Sequence, residues 1–217
     1  GLVVFAESQT RGRGRMGRRW SSPAGKGLWF SLLLRPKLTP DKCTQLTAAI
    51  ATALVRAIRS KTNITPEIKW PNDLMIHGKK VSGILTEMSA ELDSVRFVIV
   101  GIGINVNQTT SEFPPEIESS STSLKLATGA NISRTDLAIE ILRELDHDYS
   151  RIVSGKFSSV ADEWAGNCST LGKQVKINIG QRRFTGRAEA LDETGSLLIR
   201  TEHGRVERIT SGDVIVL

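Results

Sequence analysis

Hydrophobic and polar positions along this chain predict strands, then one long helix, then strands again. Leu2-Val3-Val4-Phe5-Ala6 is an unbroken apolar run, the pattern of a buried strand. Leu28 to Leu34, closed by Arg35-Pro36, is a second run that pairs naturally with it. Thr39-Pro40-Asp41 places a capping residue, a proline and an acid ahead of Leu46, Ile50, Ala53, Leu54, Ala57 and Ile58, which recur at helical spacing. An amphipathic helix from Pro40 to about Ser60 is therefore predicted. Glu67 to Ile76 predicts two strands about a Pro-Asn-Asp turn, and His77-Gly78-Lys79 a hairpin turn. Lys80 to Glu87 and Val95 to Val106 predict two more strands, interrupted by Gly83, Gly101 and Gly103. A glycine inside a strand marks either a bulge or a place where something approaches the backbone closely.

Gln108 to Ser123, rich in Ser, Thr, Pro and Glu, predicts a long surface connection. Ser133 with Asp136 three residues on resembles a capping box, and Leu137, Ile141, Leu145, Tyr149 and Ile152 mark a helix ending near Gly155. A short helix is predicted around Ser158 to Trp164. From Leu171 onward the period changes: Gln174–Ile179, Phe184–Ala188, Leu197–Ile199 and Val214–Leu217 predict short strands, hence a small β-barrel of the Src-homology-3-like kind. The domain division falls at 1–168 and 169–217. A strand at the very first residues implies a segment upstream of it.

Charge changes the picture at one place only. The net charge is +6, yet Gly1 to Arg35 holds seven Lys/Arg against one Glu and the rest of the chain sums to zero. Basicity confined to one segment suits a small anion better than a long polyanion. Glu7 to Trp20, E-S-Q-T-R-G-R-G-R-M-G-R-R-W, packs five arginines among three glycines. Arginine grips carboxylate or phosphate with a planar fork and glycine lets the backbone close over it, although Arg-Gly alternation also occurs in solvated nucleic-acid-binding tails. Lys69, at the end of an otherwise apolar strand, must be paired in the core or serve a ligand. Cys43 and Cys168 lack metal-ligand spacing or a nearby His, which fits a reducing cytoplasm. His147 and His203 sit off the apolar pattern. No Ser-His-Asp or Cys-His arrangement is visible, no run is long enough to span a membrane, and no secretory signal opens the chain. The combination points to a cationic pocket for phosphate or acyl-phosphate chemistry.

Four blocks carry a resemblance. Gln9, Gly12-Arg13-Gly14-Arg15, Gly17 and Trp20 come first, then Lys69-Trp70-Pro71-Asn72-Asp73-Leu74. Lys80-Val81-Ser82-Gly83-Ile84-Leu85-Thr86-Glu87 and Gly101-Ile102-Gly103-Ile104-Asn105 follow. In this order they resemble the signature blocks of biotin protein ligases. The resemblance implies an α+β fold: a catalytic domain of the class II aminoacyl-tRNA synthetase/biotin ligase type, with a mixed sheet flanked by helices, followed by the small barrel.

It further implies that biotin is activated with ATP and Mg²⁺ to biotinyl-AMP and then passed to a lysine of a biotin carboxyl carrier domain. Gln9, Gly12, Arg13, Gly14, Arg15, Trp20, Lys69, Gly83 and Gly103 are the implied biotin-binding residues. Arg15, Trp20, Lys69, Asn72 and Asn105 would face the nucleotide, Asp73 would lie near a magnesium ion, and Lys69 and Arg15 would be catalytic. A homodimer is also within the family's range. Two departures stand out: the family's Ser-Thr-Asn motif for the biotin ureido ring and the winged helix of some members are absent from these residues. Where some members carry an adenine-stacking tryptophan, Ser121 stands. The alternatives are a lipoate or octanoate ligase and a non-enzymatic nucleic-acid binder.

Overall fold

The computed structural model describes residues 1–217 and contains two antiparallel sheets. The first has six strands: β1 (Leu2–Ala6), β2 (Gly27–Leu34), β3 (Glu67–Lys69), β4 (Asp73–Ile76), β5 (Lys79–Glu91) and β6 (Ser94–Asn105). They lie in the order β1-β2-β6-β5-β4-β3, and every strand pair is antiparallel. Two single-residue bridges, Ile68 with Cys168 and Lys80 with Ser121, are parallel and supply the mixed character of the sheet.

Helix α1 (Cys43–Thr62) packs against this sheet and is covered in turn by α4 (Arg134–Val153) and α5 (Phe157–Asn167). Ala48, Ala49, Ala51, Ala53 and Ala57 are all buried, so the helix can sit close to neighbours on several sides. It begins after a 3₁₀ turn at Pro40–Lys42 and stops where Asn63 takes the left-handed conformation (φ 57°), its N–H closing on the Arg59 carbonyl. Cys43 is buried, and burial pushes its thiol pKa up, which leaves it protonated and unreactive.

The helices also enclose a charge cluster that the apolar pattern did not reveal. Asp148 on α4 is 1% exposed. It receives the Thr52 hydroxyl at 2.9 Å and ion pairs from Arg56 and Arg151, each at 2.8 Å. Arg56 also reaches Glu144 at 2.6 Å and Glu163 at 2.5 Å, and Arg151 reaches Glu163 at 3.1 Å. Burial alone would raise the Asp148 pKa, but the contacts from Arg56, Arg151 and Thr52 outweigh it and hold the carboxyl below its ordinary value.

The second sheet is built from β7 (Gln174–Ile179), β8 (Arg182–Leu191), β9 (Leu197–Thr201), β10 (Val206–Ile209) and β11 (Asp213–Val216), in the order β10-β9-β8-β7-β11. Strand β10, V-E-R-I, went unread in the sequence because half of its four residues are charged. Its buried Ile209 lies beside Arg208, which pairs with Asp192 at 2.5 Å. The buried side chains of both sheets form one continuous cluster, from Leu28 and Ile104 through Trp164 to Val175 and Ile199.

Three expectations change. The run Leu2–Ala6 is a strand but not a buried one, since it lies at the sheet edge with Leu2, Val4 and Phe5 exposed. Gln108 to Ser123 is more than a surface connection: it holds a 3₁₀ turn at Thr110–Glu112 and α2 (Pro115–Glu118), and its Gln108, Phe113, Thr122 and Ser123 are buried. It leads into α3 (Leu124–Thr128). The bulges of the first sheet fall at Leu74/Met75 and Ser89/Ala90, away from the strand glycines; close approach accounts for Gly83 and Gly103 but not for Gly101, where an added Cβ would meet nothing nearer than 3.8 Å.

Candidate active site

Strand register assembles the site. Lys69 on β3 pairs with Asp73 on β4, Asp73 with Gly83 on β5, Gly83 with Gly103 on β6, and Gly103 with Trp29 on β2. Directly opposed residues of antiparallel strands point to the same face, so these five form one row across the sheet. A lysine and a carboxylate stand at one end, two glycines in the middle and a buried indole at the other. Trp20 lies on the glycines: a Cβ added at Gly103 would come within 2.5 Å of its ring, and one at Gly83 within 2.9 Å. It meets Trp29 edge-on at 6.0 Å between ring centroids, and Lys80 Nζ lies 5.5 Å from its ring. The glycines are therefore a platform, and the first group to use it is the protein's own tryptophan.

Above this row lies a cleft of about 310 Å³, within the size range of small-molecule sites. Its roof is the Arg-Gly loop, which folds as a tight hairpin. Gly14 N–H donates to the Arg18 carbonyl at 2.7 Å, Trp20 N–H to the Gly12 carbonyl at 2.9 Å, and Met16 and Gly17 turn through left-handed conformations (φ 56° and 74°). Three arginines strap the loop down. Arg13 pairs with Glu87 at 3.0 Å, Arg18 with Asp213 at 2.5 Å, and Arg15 donates to Asn72 Oδ1 at 3.1 Å and to the Gly212 carbonyl at 3.4 Å.

The charges of the cleft sort into two groups. Lys80 is paired with Asp73 at 2.6 Å, and Glu112 with Lys26 at 2.9 Å. A backbone N–H from Thr109 and the Lys26 ammonium lower the Glu112 pKa to about 2, so it stays ionised. Arg13 and Arg18 are paired as described. Lys69, Arg15 and Arg19 line the cleft and make no ion pair. Arg15 is the telling case: part-buried, it is held only by neutral oxygens, and burial pulls its pKa down against the opposing fields of Asp213 and Asp73. A cation placed out of water without a counter-charge is costly by itself and is stabilised when an anion arrives. Several buried polar atoms around the platform also lack a protein partner, namely Trp20 Nε1, Trp29 Nε1, Gln108 Oε1 and Asp73 Oδ1, the last close to Lys80 but out of hydrogen-bond alignment.

Two family models match the chain: the biotin/lipoate A/B protein ligase family over residues 1–105 and the biotin protein ligase C-terminal domain over residues 170–217. A Mycobacterium tuberculosis biotin–[acetyl-CoA-carboxylase] ligase is 31% identical, aligned over 100% of this chain and 79% of its own length. The chain belongs to the biotin protein ligase family. A Bacillus spizizenii bifunctional ligase/repressor BirA is 42% identical over 99% of this chain. This chain spans 66% of that relative's length. Among solved structures, the Aquifex aeolicus biotin protein ligase in complex with biotin and ATP superposes with a TM-score of 0.85 at 35% identity, covering 100% of this chain and 89% of that one. The biotin protein ligase fold accounts for both sheets described above.

The expected site residues can now be located on it. Gln9, Arg13, Gly14, Arg15, Trp20, Lys69, Asn72, Asp73, Gly83, Gly103 and Asn105 all line the cleft. Gly12 does not: it lies behind the wall, where a Cβ would meet the Trp20 carbonyl oxygen at 2.4 Å, so it closes the hairpin. Asn72 and Asn105 are already engaged at both ends of their amides. Asn72 donates to the Ile84 carbonyl and accepts from Arg15, while Asn105 donates to the Thr122 carbonyl and accepts from Gln108. Sequence reasoning missed Lys80 as a wall residue, and with it Asp213 and, apart from Ser121, the Gln108–Ser121 segment. The segment carried one usable signal: Thr109 and Glu112 form a complete capping box, the mark of an ordered turn. Asp213 carried none, because it reaches the cleft from the second sheet.

Magnesium can be tested against the same atoms. No cluster of three or more His, Cys, Asp or Glu side chains exists to cage an ion. Asp73, the carboxylate of the platform row, is already paired through Oδ1 with Lys80 at 2.6 Å, which leaves it at most one further oxygen for an ion. That suits a magnesium ion held mainly by nucleotide phosphates with one carboxylate from the protein.

Proposed function

We propose that this chain joins biotin to ATP, releasing pyrophosphate and forming biotinyl-5′-AMP, and then transfers the biotinyl group to a lysine of a biotin carboxyl carrier domain. The observation that carries the reading is the pair of uncompensated cations, Lys69 and Arg15, beside a glycine platform walled by indoles. Biotin joins a polar ureido ring to a thiophane and an apolar chain that ends in a carboxylate; the Trp20 indole lying on the platform offers contact area for the apolar part, and Lys69 and Arg15 offer positive charge for the carboxylate. In the first step a carboxylate oxygen attacks the α-phosphorus and pyrophosphate leaves. Two anions must be brought together and negative charge gathers on the phosphoryl oxygens, which is the task of Lys69 with Arg15. A magnesium ion, where bound, would rest on the nucleotide phosphates and Asp73 and screen the leaving group's charge.

In the second step the acceptor amine takes the acyl carbon and AMP departs. The mixed anhydride must be kept from water until then, and the strapped loop roofs the cleft for that purpose. Gln9, Arg13, Gly14 and Trp20 are our biotin-side residues, Asn72 and Asn105 our nucleotide-side ones. The two engaged asparagines act by holding Arg15 and the Gln108 segment. We take residues 1–168 as the catalytic domain and 169–217 as the second. A homodimer in a reducing cytoplasm completes the reading, consistent with two free cysteines and with no helix long and apolar enough to cross a membrane. Biotin-dependent exchange of labelled pyrophosphate into ATP tests it. Exchange driven by lipoate or octanoate and not by biotin would assign the cleft to the related acyl ligases instead.

A further inference from the structure

The second sheet reaches into the cleft at one place, the turn from β10 to β11. Gly212 adopts φ 152°, a conformation that favours glycine, and a Cβ there would lie 2.9 Å from the Ile179 side chain. This geometry presents the Gly212 carbonyl to Arg15 and the Asp213 carboxylate to Arg18, 2.5 Å away. Asp213 and Val214 line the same cleft as Lys69 and the glycine platform.

We propose that Asp213 is a positioning residue for the nucleotide-activating step, fastening the roof loop through Arg18 while the adjoining Gly212 carbonyl holds Arg15 in place without a counter-charge. The inference rests on the function proposed above.

The physical logic is a division of labour among acceptors. Arg18 takes the carboxylate outright, which anchors the loop at its C-terminal side as Glu87 anchors it through Arg13 on the other. Arg15, between them, is left with neutral oxygens and stays available to an incoming anion. A carboxylate bonded to Arg15 itself would have to be displaced by that anion. One placed on Arg18 keeps the loop down without competing.

The second sheet is seated firmly enough for this task. The Thr44 hydroxyl donates to the Thr194 carbonyl, and Gln45 Nε2 to the Glu193 carbonyl at 2.7 Å. Trp70 N–H donates to the Thr170 hydroxyl at 3.2 Å, and Ser169 N–H to the Ile68 carbonyl at 2.9 Å. The last two hold the second unit against the strand that carries Lys69. The Arg18–Asp213 pair is itself solvent-accessible, so its contribution is moderate.

The test compares full-length wild type with Asp213→Asn and Asp213→Glu in two assays. In biotin-dependent pyrophosphate exchange, Asp213→Asn is expected to raise the KM for ATP about three- to fivefold, with a smaller change in biotin affinity, and Asp213→Glu to restore most of the loss. In limited trypsin digestion without ligand, cleavage within Arg11–Arg19 is expected to quicken in the Asn variant and return toward wild type in the Glu variant. Unchanged KM and cleavage in Asp213→Asn would overturn the proposal. So would a lowered Tm with no rescue by glutamate, which would make Asp213 merely structural. Should the wild type itself show no biotin-dependent exchange, the ligase reading fails while the digestion arm still decides whether Asp213 fastens the loop.

Discussion

At the residue scale, the site depends on what two kinds of side chain lack. Lys69 and Arg15 lack a carboxylate, and Gly83 and Gly103 lack a Cβ. The first absence predicts a kinetic signature. Lys69→Ala should lower the rate of adenylation by a barrier of roughly 2–4 kcal/mol, as for removal of one preorganised donor, and weaken biotin binding much less, because charge grows on the phosphate in the transition state. Single-turnover kinetics beside calorimetric biotin titration separates the two, and a collapse of affinity with turnover intact would make Lys69 a binding residue only. The second absence predicts a steric signature. Gly103→Ala would thrust a methyl group to within 2.5 Å of the Trp20 indole, so the ring must move off the platform. Overpacking of this kind costs about 1–3 kcal/mol, expected here as biotin affinity lowered about tenfold, with a change in tryptophan fluorescence and only a small drop in Tm. Gly101, where an added Cβ meets nothing nearer than 3.8 Å, is the control for the indole: its alanine variant should leave the tryptophan fluorescence and Tm as in wild type.

At the scale of elements, the sequence foretold the strands and helices that a regular period or a cap announces, and missed what arises only when elements meet. Helices α1 and α4 and strands β2, β5 and β6 follow from apolar spacing and their flanking turns. The Lys69–Asp73–Gly83–Gly103–Trp29 row could not be read, because it depends on cross-strand register, which no local pattern encodes. Asp148 was hidden for a similar reason: an acid within a helix looks like a solvated position until Arg56 of α1, and Glu163 of α5 through Arg151, close over it. Asp148→Ala should therefore be severe. It leaves two arginines and the Thr52 hydroxyl without their shared partner, and breaking a buried network in this way costs about 3–5 kcal/mol, readable in chemical denaturation. The pH dependence has a definite sign. Because the folded pKa of Asp148 lies below its ordinary value, its contribution is fully present above the unfolded pKa near 4 and is lost as pH falls through the folded value. The stability gap between wild type and Asp148→Ala should thus be flat from pH 5 to 7 and narrow below about pH 4. A gap that widened on acidification would contradict the assigned direction.

At the scale of the whole molecule, the two edges of the six-stranded sheet are treated differently. The β3 edge is closed where the chain passes into the second unit: Cys168 bridges Ile68, and the Ser169 N–H donates to the Ile68 carbonyl. The β1 edge is open. Its five residues pair only with β2, and Leu2, Val4 and Phe5 are 58%, 56% and 47% exposed. An apolar edge with unpaired N–H and C=O groups is a template for strand addition, and β1 carries no lysine, proline or bulge to blunt it. A strand from a segment upstream of Leu2 would satisfy those groups; in residues 1–217 alone a second copy offering the same edge in antiparallel register would do so and cover the same three side chains, an isologous two-fold contact. Residues 1–217 are therefore expected to self-associate with concentration, and Val4→Lys to weaken that association by about tenfold or more, equivalent to roughly 1.4 kcal/mol. Sedimentation velocity across a concentration series reads both. Because Val4 lies at the sheet edge and outside the cleft lining, its lysine variant should keep wild-type biotin affinity. Undiminished association would move the interface elsewhere, and a parallel loss of biotin binding would mean that the β1 edge and the site are coupled through β2, whose Trp29 ends the platform row.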